Sequence, residues 1–210
     1  MNSIFGYKLS DSQYPQMKII ETPKFIFRPI NINDVPDFYE YLSQEKVVKY
    51  LPFKPHKNIG VTKKFIQTYF INNYKNGNVS NYAVYYKRDK KVIANTGFNN
   101  LPPNSIEGEI GICLNPKYWG HDFATELCIV SLITGFELMN LDKIIAVTYS
   151  NNKYSTKCLD ILNFKHVNNS KVKNTSQTSY IFELARNEYL GMKKNYLPNL
   201  VKQFSHSWSF

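Results

Sequence analysis

The stretch Asn115–Val130, NPKYWGHDFATELCIV, has to join a strand to a helix through a tight loop, and it constrains the fold more than any other part of the chain. Ahead of it, EGEIGICL (Glu107–Leu114) alternates and then thickens into apolar residues, as a strand does on entering a core. After it, Ala124–Met139 spaces Leu127, Val130, Ile133, Phe136 and Leu138 as an amphipathic helix would, with Thr125 and Glu126 in its first turn. Between them Pro116, Gly120 and Asp122 bend the chain. A loop opening a helix in this way exposes backbone N–H groups at the positive end of the helix dipole, which suits an anion such as a phosphate.

The elements around this unit follow from periodicity. KFIFRP (Lys24–Pro29) reads as a strand closed by proline. Asn33 then caps a helix that carries Val35, Phe38, Tyr39 and Leu42, and a second helix over Gly60–Lys75 places Phe65, Ile66, Tyr69 and Phe70 on one side. Strands over Asn81–Arg88 and Lys91–Leu101 flank the short turn Asp89-Lys90 and run into Glu107–Leu114 as an antiparallel meander. Beyond the central helix come a strand (Lys143–Thr148), a helix (Asn152–Leu162) and two strands near Phe164–Val167 and Thr178–Leu184. The strand–helix–strand step in the middle requires one parallel pair within an otherwise antiparallel sheet. The expected fold is α+β, with helices on both faces of that sheet.

Composition narrows the setting. With 43% hydrophobic and 15% aromatic residues, the 210-residue chain can bury a real core, and no run long enough to cross a membrane as a helix is present. The first residues lack a charged-then-apolar signal pattern, and Cys113, Cys128 and Cys158 lie inside apolar elements, so a reducing cytoplasmic setting is expected. The four histidines have no partner at helical spacing, and no metal site is expected. A formal charge of +10 suits RNA, an acidic protein or a phosphate-rich ligand, but the lysines are spread along the chain, which favours a solvated basic surface over a nucleic-acid face.

GEIGICLNPKYWGHDFATEL aligns without a gap to a motif of the form aelGywl-x-p-x-x-WGkGyatEa. Asn152-x-x-Ser155, followed by a helix and Asn163-Phe164, matches a second signature, and FRPI (Phe27–Ile30) matches an opening one. In this order they resemble the GNAT superfamily of acyl-CoA N-acyltransferases, nearest to its Rim-type branch of ribosomal-protein alanine acetyltransferases. The resemblance covers roughly Lys24–Arg186, and divides the chain into an extension (1–23), an acetyltransferase domain (24–186) and a tail (187–210).

The resemblance implies acetyl-CoA as cofactor and a direct transfer in a ternary complex. Trp119, Gly120, His121, Asp122, Phe123, Ala124 and Thr125 would hold the pyrophosphate, while the pantetheine arm would run along Ile112 to Leu114. Asp122 takes a place usually held by glycine, where a side chain is expected to crowd the backbone approach and a carboxylate to oppose a diphosphate. A backbone N–H near Ile112 would steady the oxyanion, a contact worth about 3 kcal/mol. Glu109, sharing a strand face with Glu107 opposite Ile110 and Ile112, is the candidate base, directly or through water; its other reading is a solvent-side carboxylate. Ser155 matches the family's thiol-facing serine or serves as a helix-start hydrogen-bonding residue, and Asn152 is a helix cap and a cofactor contact. The family's acidic tyrosine falls at Leu159, leaving Tyr154 as a substitute only if it turns inward.

The acceptor is expected to be a primary amine, foremost a peptide or protein N-terminus, contacted by the first two helices and their link Val47–Asn58. A small-molecule amine is the alternative, as is a non-catalytic protein of the same fold associating with RNA or the ribosome. The tail carries Tyr189, Leu190, Leu197, Leu200, Val201, Phe204, Trp208 and Phe210, too apolar for a solvated segment, and is expected to dock on the domain or on a second copy. Either a monomer or a homodimer is compatible with these features.

Overall fold

A computed structural model describes residues 6–171 and 177–206. Strands β1 (Lys8–Ser10), β2 (Ile19–Glu21) and β3 (Phe25–Pro29) lead to helices α1 (Val35–Leu42), α2 (Glu45–Val48), α3 (Ile59–Phe65) and α4 (Asn72–Lys75). Then come β4 (Val79–Tyr86), β5 (Lys91–Leu101), β6 (Glu107–Leu114), α5 (Phe123–Ile133), β7 (Lys143–Tyr149), α6 (Lys153–Ile161), β8 (Lys165–Lys171), β9 (Thr178–Ala185) and α7 (Arg186–His206). Among the described residues the strands form one nine-stranded sheet in the order β1-β2-β3-β4-β5-β6-β7-β9-β8. Only β6 and β7 pair in parallel, and the other neighbours are antiparallel. The α+β architecture expected from the order of elements is the one observed.

Alternation along β5 shows how the two helical layers attach. Asn95 accepts a 3.0 Å hydrogen bond from Tyr41 of α1, whereas its neighbour Thr96 meets Ser131 of α5 at 3.0 Å on the opposite face. Helix α5 is buried on nearly every side, including Thr125, Glu126 and Ser131, because the sheet, α6 and α7 all pack against it. An amphipathic stripe is thus the wrong description of this helix; it is a central one. Its continuation, a π-helical turn over Thr134–Leu138, comes so close to the sheet that a Cβ on Gly135 would lie 2.7 Å from both Ile144 and Phe98. A Cβ on Gly108 of β6 would lie 2.7 Å from the same Phe98 ring, so two glycines make room for one aromatic side chain.

Three local features differ from the periodicity reading. The helix expected over Gly60–Lys75 is α3 and α4 joined by a π-helical stretch, Ile66–Ile71. The polar segment ahead of Lys24 is not merely an extension, since β1 and β2 add to the sheet beside β3 and bury Met17 and Ile20. Strands of three residues are too short to show a period, which is why they escape a pattern search. The tail forms α7, which buries Tyr189 and Leu197, stacks Tyr189 on Phe136 with ring centroids 4.7 Å apart, and donates from Tyr196 Oη to the Ile161 carbonyl at 2.5 Å. Trp208 and Phe210, counted with the same apolar set, lie outside the described residues.

Candidate active site

The parallel pairing of β6 with β7 runs from Glu107↔Lys143 to Ile110↔Ala146 and then stops, although both strands continue. Gly111–Leu114 remain bonded to β5, and Val147–Tyr149 to β9. The two strands therefore splay into a wedge at the centre of the sheet, whose facing edges lack ladder partners across the gap. Backbone polar groups along such an edge need partners, and an extended amide-bearing chain can supply them.

The loop above the wedge is fixed by its own side chains. Asn115, fully buried, accepts from the Lys117 amide at 3.1 Å, and Pro116–Tyr118 make one 3-10 turn. Trp119 donates its indole N–H to the Leu114 carbonyl at 2.9 Å, capping the last residue of β6, and remains half-exposed. Gly120 has φ +81° and open space around it, a conformation and an accessibility that suit a ligand-facing turn. Asp122 follows with φ 52° and ψ 2° and is the residue from which α5 starts at Phe123. The position usually held by glycine thus does adopt the left-handed backbone that glycine favours, and aspartate enters that region more readily than most residues. The Asp122 side chain caps nothing and is exposed, as is His121, whose ring lies 6.2 Å from that of Phe123. Phe123 is buried, and its ring meets those of Phe25, Tyr86 and Tyr118, which pins the start of the helix to the sheet edge. Ala124 is half-buried, and Thr125 donates to Cys158 Sγ of α6 at 3.6 Å. Glu126 is buried against Lys24 Nζ at 2.8 Å; burial lifts its carboxyl above the ordinary range, and it anchors α5 to the start of β3.

Helix α6 closes the other side. Asn152 caps it by accepting from the Ser155 amide at 3.3 Å, and the Asn152 amide donates to Tyr149, the last residue of β7. Ser155 is half-buried and lies one turn before Cys158, on the face that meets Thr125. Tyr154 is 87% exposed, so the inward turn on which its role as an acid depends does not occur. Leu159, where an acidic tyrosine is otherwise expected, is a buried core residue. On β6, Ile112 and Leu114 share one face of the strand, while Glu109 projects to the other, one residue short of the splay. Its Oε1 accepts from Asn99 Nδ2 at 2.8 Å.

Several residues around the wedge carry no sequence signature. Glu40 of α1 accepts from Asn115 Nδ2 at 3.0 Å, pairs with Lys117 at 3.0 Å and also holds Lys91, tying the loop to the first helix. Burial alone would raise its carboxyl, but the contacts with Lys91, Asn115 and Lys117 outweigh it and bring the pKa down to about 2. Asn99 reaches Glu109 from an irregular part of β5, where pairing with β4 shifts register and Asn100 has φ 52°. Bulges of this kind re-aim side chains beside functional sites. Behind them Tyr41, Asn95 and Asn81 form a hydrogen-bonded chain, Tyr41 donating to Asn95 at 3.0 Å and Asn95 to Asn81 at 2.9 Å.

The family model described as "Acetyltransferase (GNAT) domain" matches residues 24–165. The uncharacterized N-acetyltransferase p20 of Bacillus licheniformis is 28% identical over 180 residues, covering 83% of this chain and all of the relative. Among solved structures, a GNAT-family acetyltransferase from Bacillus anthracis superposes with a TM-score of 0.71 at 21% identity, over 81% of this chain and 99% of its own. The ribosomal alpha-N-protein acetyltransferase RimL in complex with coenzyme A superposes with a TM-score of 0.69 at 14% identity, over 81% of this chain and 99% of its own. With the splayed strand pair, the loop over it and a family match across more than half of its length, the chain belongs to the GNAT family of acetyl-CoA-dependent N-acetyltransferases.

Proposed function

We propose that this acetyltransferase acetylates the α-amine of a protein or peptide in the cytoplasm, in a ternary complex without a covalent enzyme intermediate. One observation carries the reading of the site: β6 and β7 part after Ile110↔Ala146, directly beneath the Trp119–Thr125 loop. Free strand edges and helix-start amides are the groups that a pantetheine arm and a pyrophosphate need. Bound acetyl-CoA supplies an acetyl group activated as a thioester. The loop Trp119–Thr125 is assigned to the pyrophosphate, with Asn152 beside it, and Ile112 to Leu114 to the pantetheine amides. Gly120 leaves the approach open, and the exposed Asp122 carboxylate is free to turn to solvent.

Glu109 is the proposed base. Its Asn99 hydrogen bond fixes one oxygen and leaves the other for the amine or an intervening water. When the amine nitrogen attacks the thioester carbonyl, its proton passes to Glu109. The Ile112 amide would steady the thioester carbonyl oxygen as charge develops, and the Ser155 hydroxyl would stabilise and protonate the departing thiolate. The similarity to RimL and the matching motifs support a polypeptide amine over a small one. A transfer assay that follows free thiol over peptides with different first residues, spermidine and aminoglycosides tests this. Turnover with peptide α-amines well above the small amines is expected, and the reverse order would overturn the assignment.

A further inference from the structure

The basic charge of the chain is concentrated by the placement of its acids. From Lys46 to Arg88 there are nine Lys/Arg residues and no Asp or Glu, with Glu45 and Asp89 standing at the two ends. This run folds into α2, α3, α4 and the link between them, a helical cap packed beside α1, and then into β4, with Lys87 and Arg88 just after that strand. Lys46, Lys49, Lys54, Lys57, Lys63 and Lys64 are all exposed, and among the described residues none makes an ion pair. The acids of the neighbouring first helix cannot compensate. Asp34 is held by Arg28 at 2.6 Å, Asp37 by Lys91 at 3.5 Å, and Glu40 by Lys117 at 3.0 Å as well as Lys91. Only Glu45 stands exposed among the cap lysines.

The cap also reaches the wedge. Lys46 Nζ lies 5.9 Å from the Trp119 ring, the Tyr50 ring 6.1 Å from that of Tyr149 at the end of β7, and Tyr50 Oη donates to the Asn151 carbonyl at 3.4 Å. Farther out, a groove of about 310 Å³ runs between Ile32 and the Gly60–Thr68 segment, lined also by Lys63, Lys64 and Gln67. Ile32, which lines it, exposes 38% of its surface, and Ile59 and Val61 on α3 expose 50% and 41%. Aliphatic surface ringed by unpaired ammonium groups is complementary to a segment that carries both apolar side chains and carboxylates. Bidentate recognition of phosphates relies on arginine forks, and α2, α3, α4 and the link between them carry none.

We propose that this cap is the docking surface for an acidic polypeptide, the segment of the acceptor that follows the amine to be acetylated. This rests on the polypeptide-amine reading above and names its substrate class. The attraction steers the substrate to the mouth of the wedge and acts on acceptor affinity and association rate, not on acetyl-CoA.

The test uses the full chain and a fluorescent, glutamate-rich peptide beginning with alanine, with its glutamine counterpart as control, read by anisotropy without turnover. Tighter binding of the glutamate peptide by about tenfold at low salt is expected, shrinking as salt screens the cap. The double variant Lys63→Glu, Lys64→Glu is expected to lose most of that preference and to bind acetyl-CoA as before, which also shows that it is folded. Equal binding of the two peptides at low salt, a preference that survives the charge reversal, or binding of a single-stranded RNA in place of the peptide would overturn the proposal. Loss of acetyl transfer with docking intact would count instead against the α-amine assignment.

Discussion

Glu109 stands one residue short of the point where β6 and β7 part, and Asn99 Nδ2 holds its Oε1 at 2.8 Å. Glu109→Gln keeps the shape and removes the proposed base. It is expected to lower kcat by about 10²- to 10³-fold at neutral pH while leaving acetyl-CoA affinity unchanged. Asn99→Ala frees the carboxylate to rotate and is expected to cost about tenfold in kcat. Steady-state kinetics across pH, paired with calorimetry, separates these effects from loss of cofactor.

Asp122→Gly addresses the loop. Glycine suits φ 52°, but the gain is offset by the greater freedom of the unfolded chain, so stability is expected to change by less than about 1 kcal/mol. Removing one exposed carboxylate near a diphosphate is expected to tighten acetyl-CoA by about threefold. A gain of a hundredfold or more would instead mark the natural loop as impaired.

The Glu40 tether gives a pH signature. Its folded pKa of about 2 lies below the ordinary 4.5, so the stability it contributes is present above pH 4.5 and lost as pH falls toward 2. Thermal unfolding of Glu40→Gln is therefore expected to fall below that of the parent protein at pH 6 and to converge with it as the pH is lowered. A difference that stays constant through the acid range would remove the charge from the explanation.

The cysteines differ in reactivity. Burial pushes the Cys113 thiol up to about 12, whereas hydrogen bonds with Cys128 and Thr125 lower that of half-buried Cys158. Iodoacetamide is expected to label Cys158 before Cys113 in the native protein, and acetyl-CoA to slow the labelling, because Thr125 belongs to the loop proposed to hold the pyrophosphate. Mass spectrometry of the modified peptides reads both effects.

The unit from Glu107 to Tyr149 was legible in sequence because strand alternation gives way to an apolar run too long for a strand and then to a second strand, with turn residues at both junctions. The same local chemistry placed the loop at a helix start and identified Asn152 as a cap. What escaped depends on distant partners. Asn99 and Glu109 are ten residues apart but belong to different strands, and Glu40 and Asn115 are separated by 75 positions, so no spacing rule joins them. The Tyr154 role failed for a geometric reason, since the helix that presents Ser155 turns its neighbour outward. The lysines spread along the chain read as a solvated basic surface, and those from Lys46 to Lys64 are exposed in the fold. An even distribution of cations still leaves a strong field where few carboxylates stand among them.

Calorimetric titration of the purified protein with acetyl-CoA, beside free coenzyme A, tests the assignment of the wedge most directly. Micromolar binding with one site per chain, abolished by a bulky substitution such as Gly120→Trp, is the expected result. No detectable heat at millimolar acetyl-CoA would contradict it, and would leave the splayed strands and their loop without the ligand that explains them.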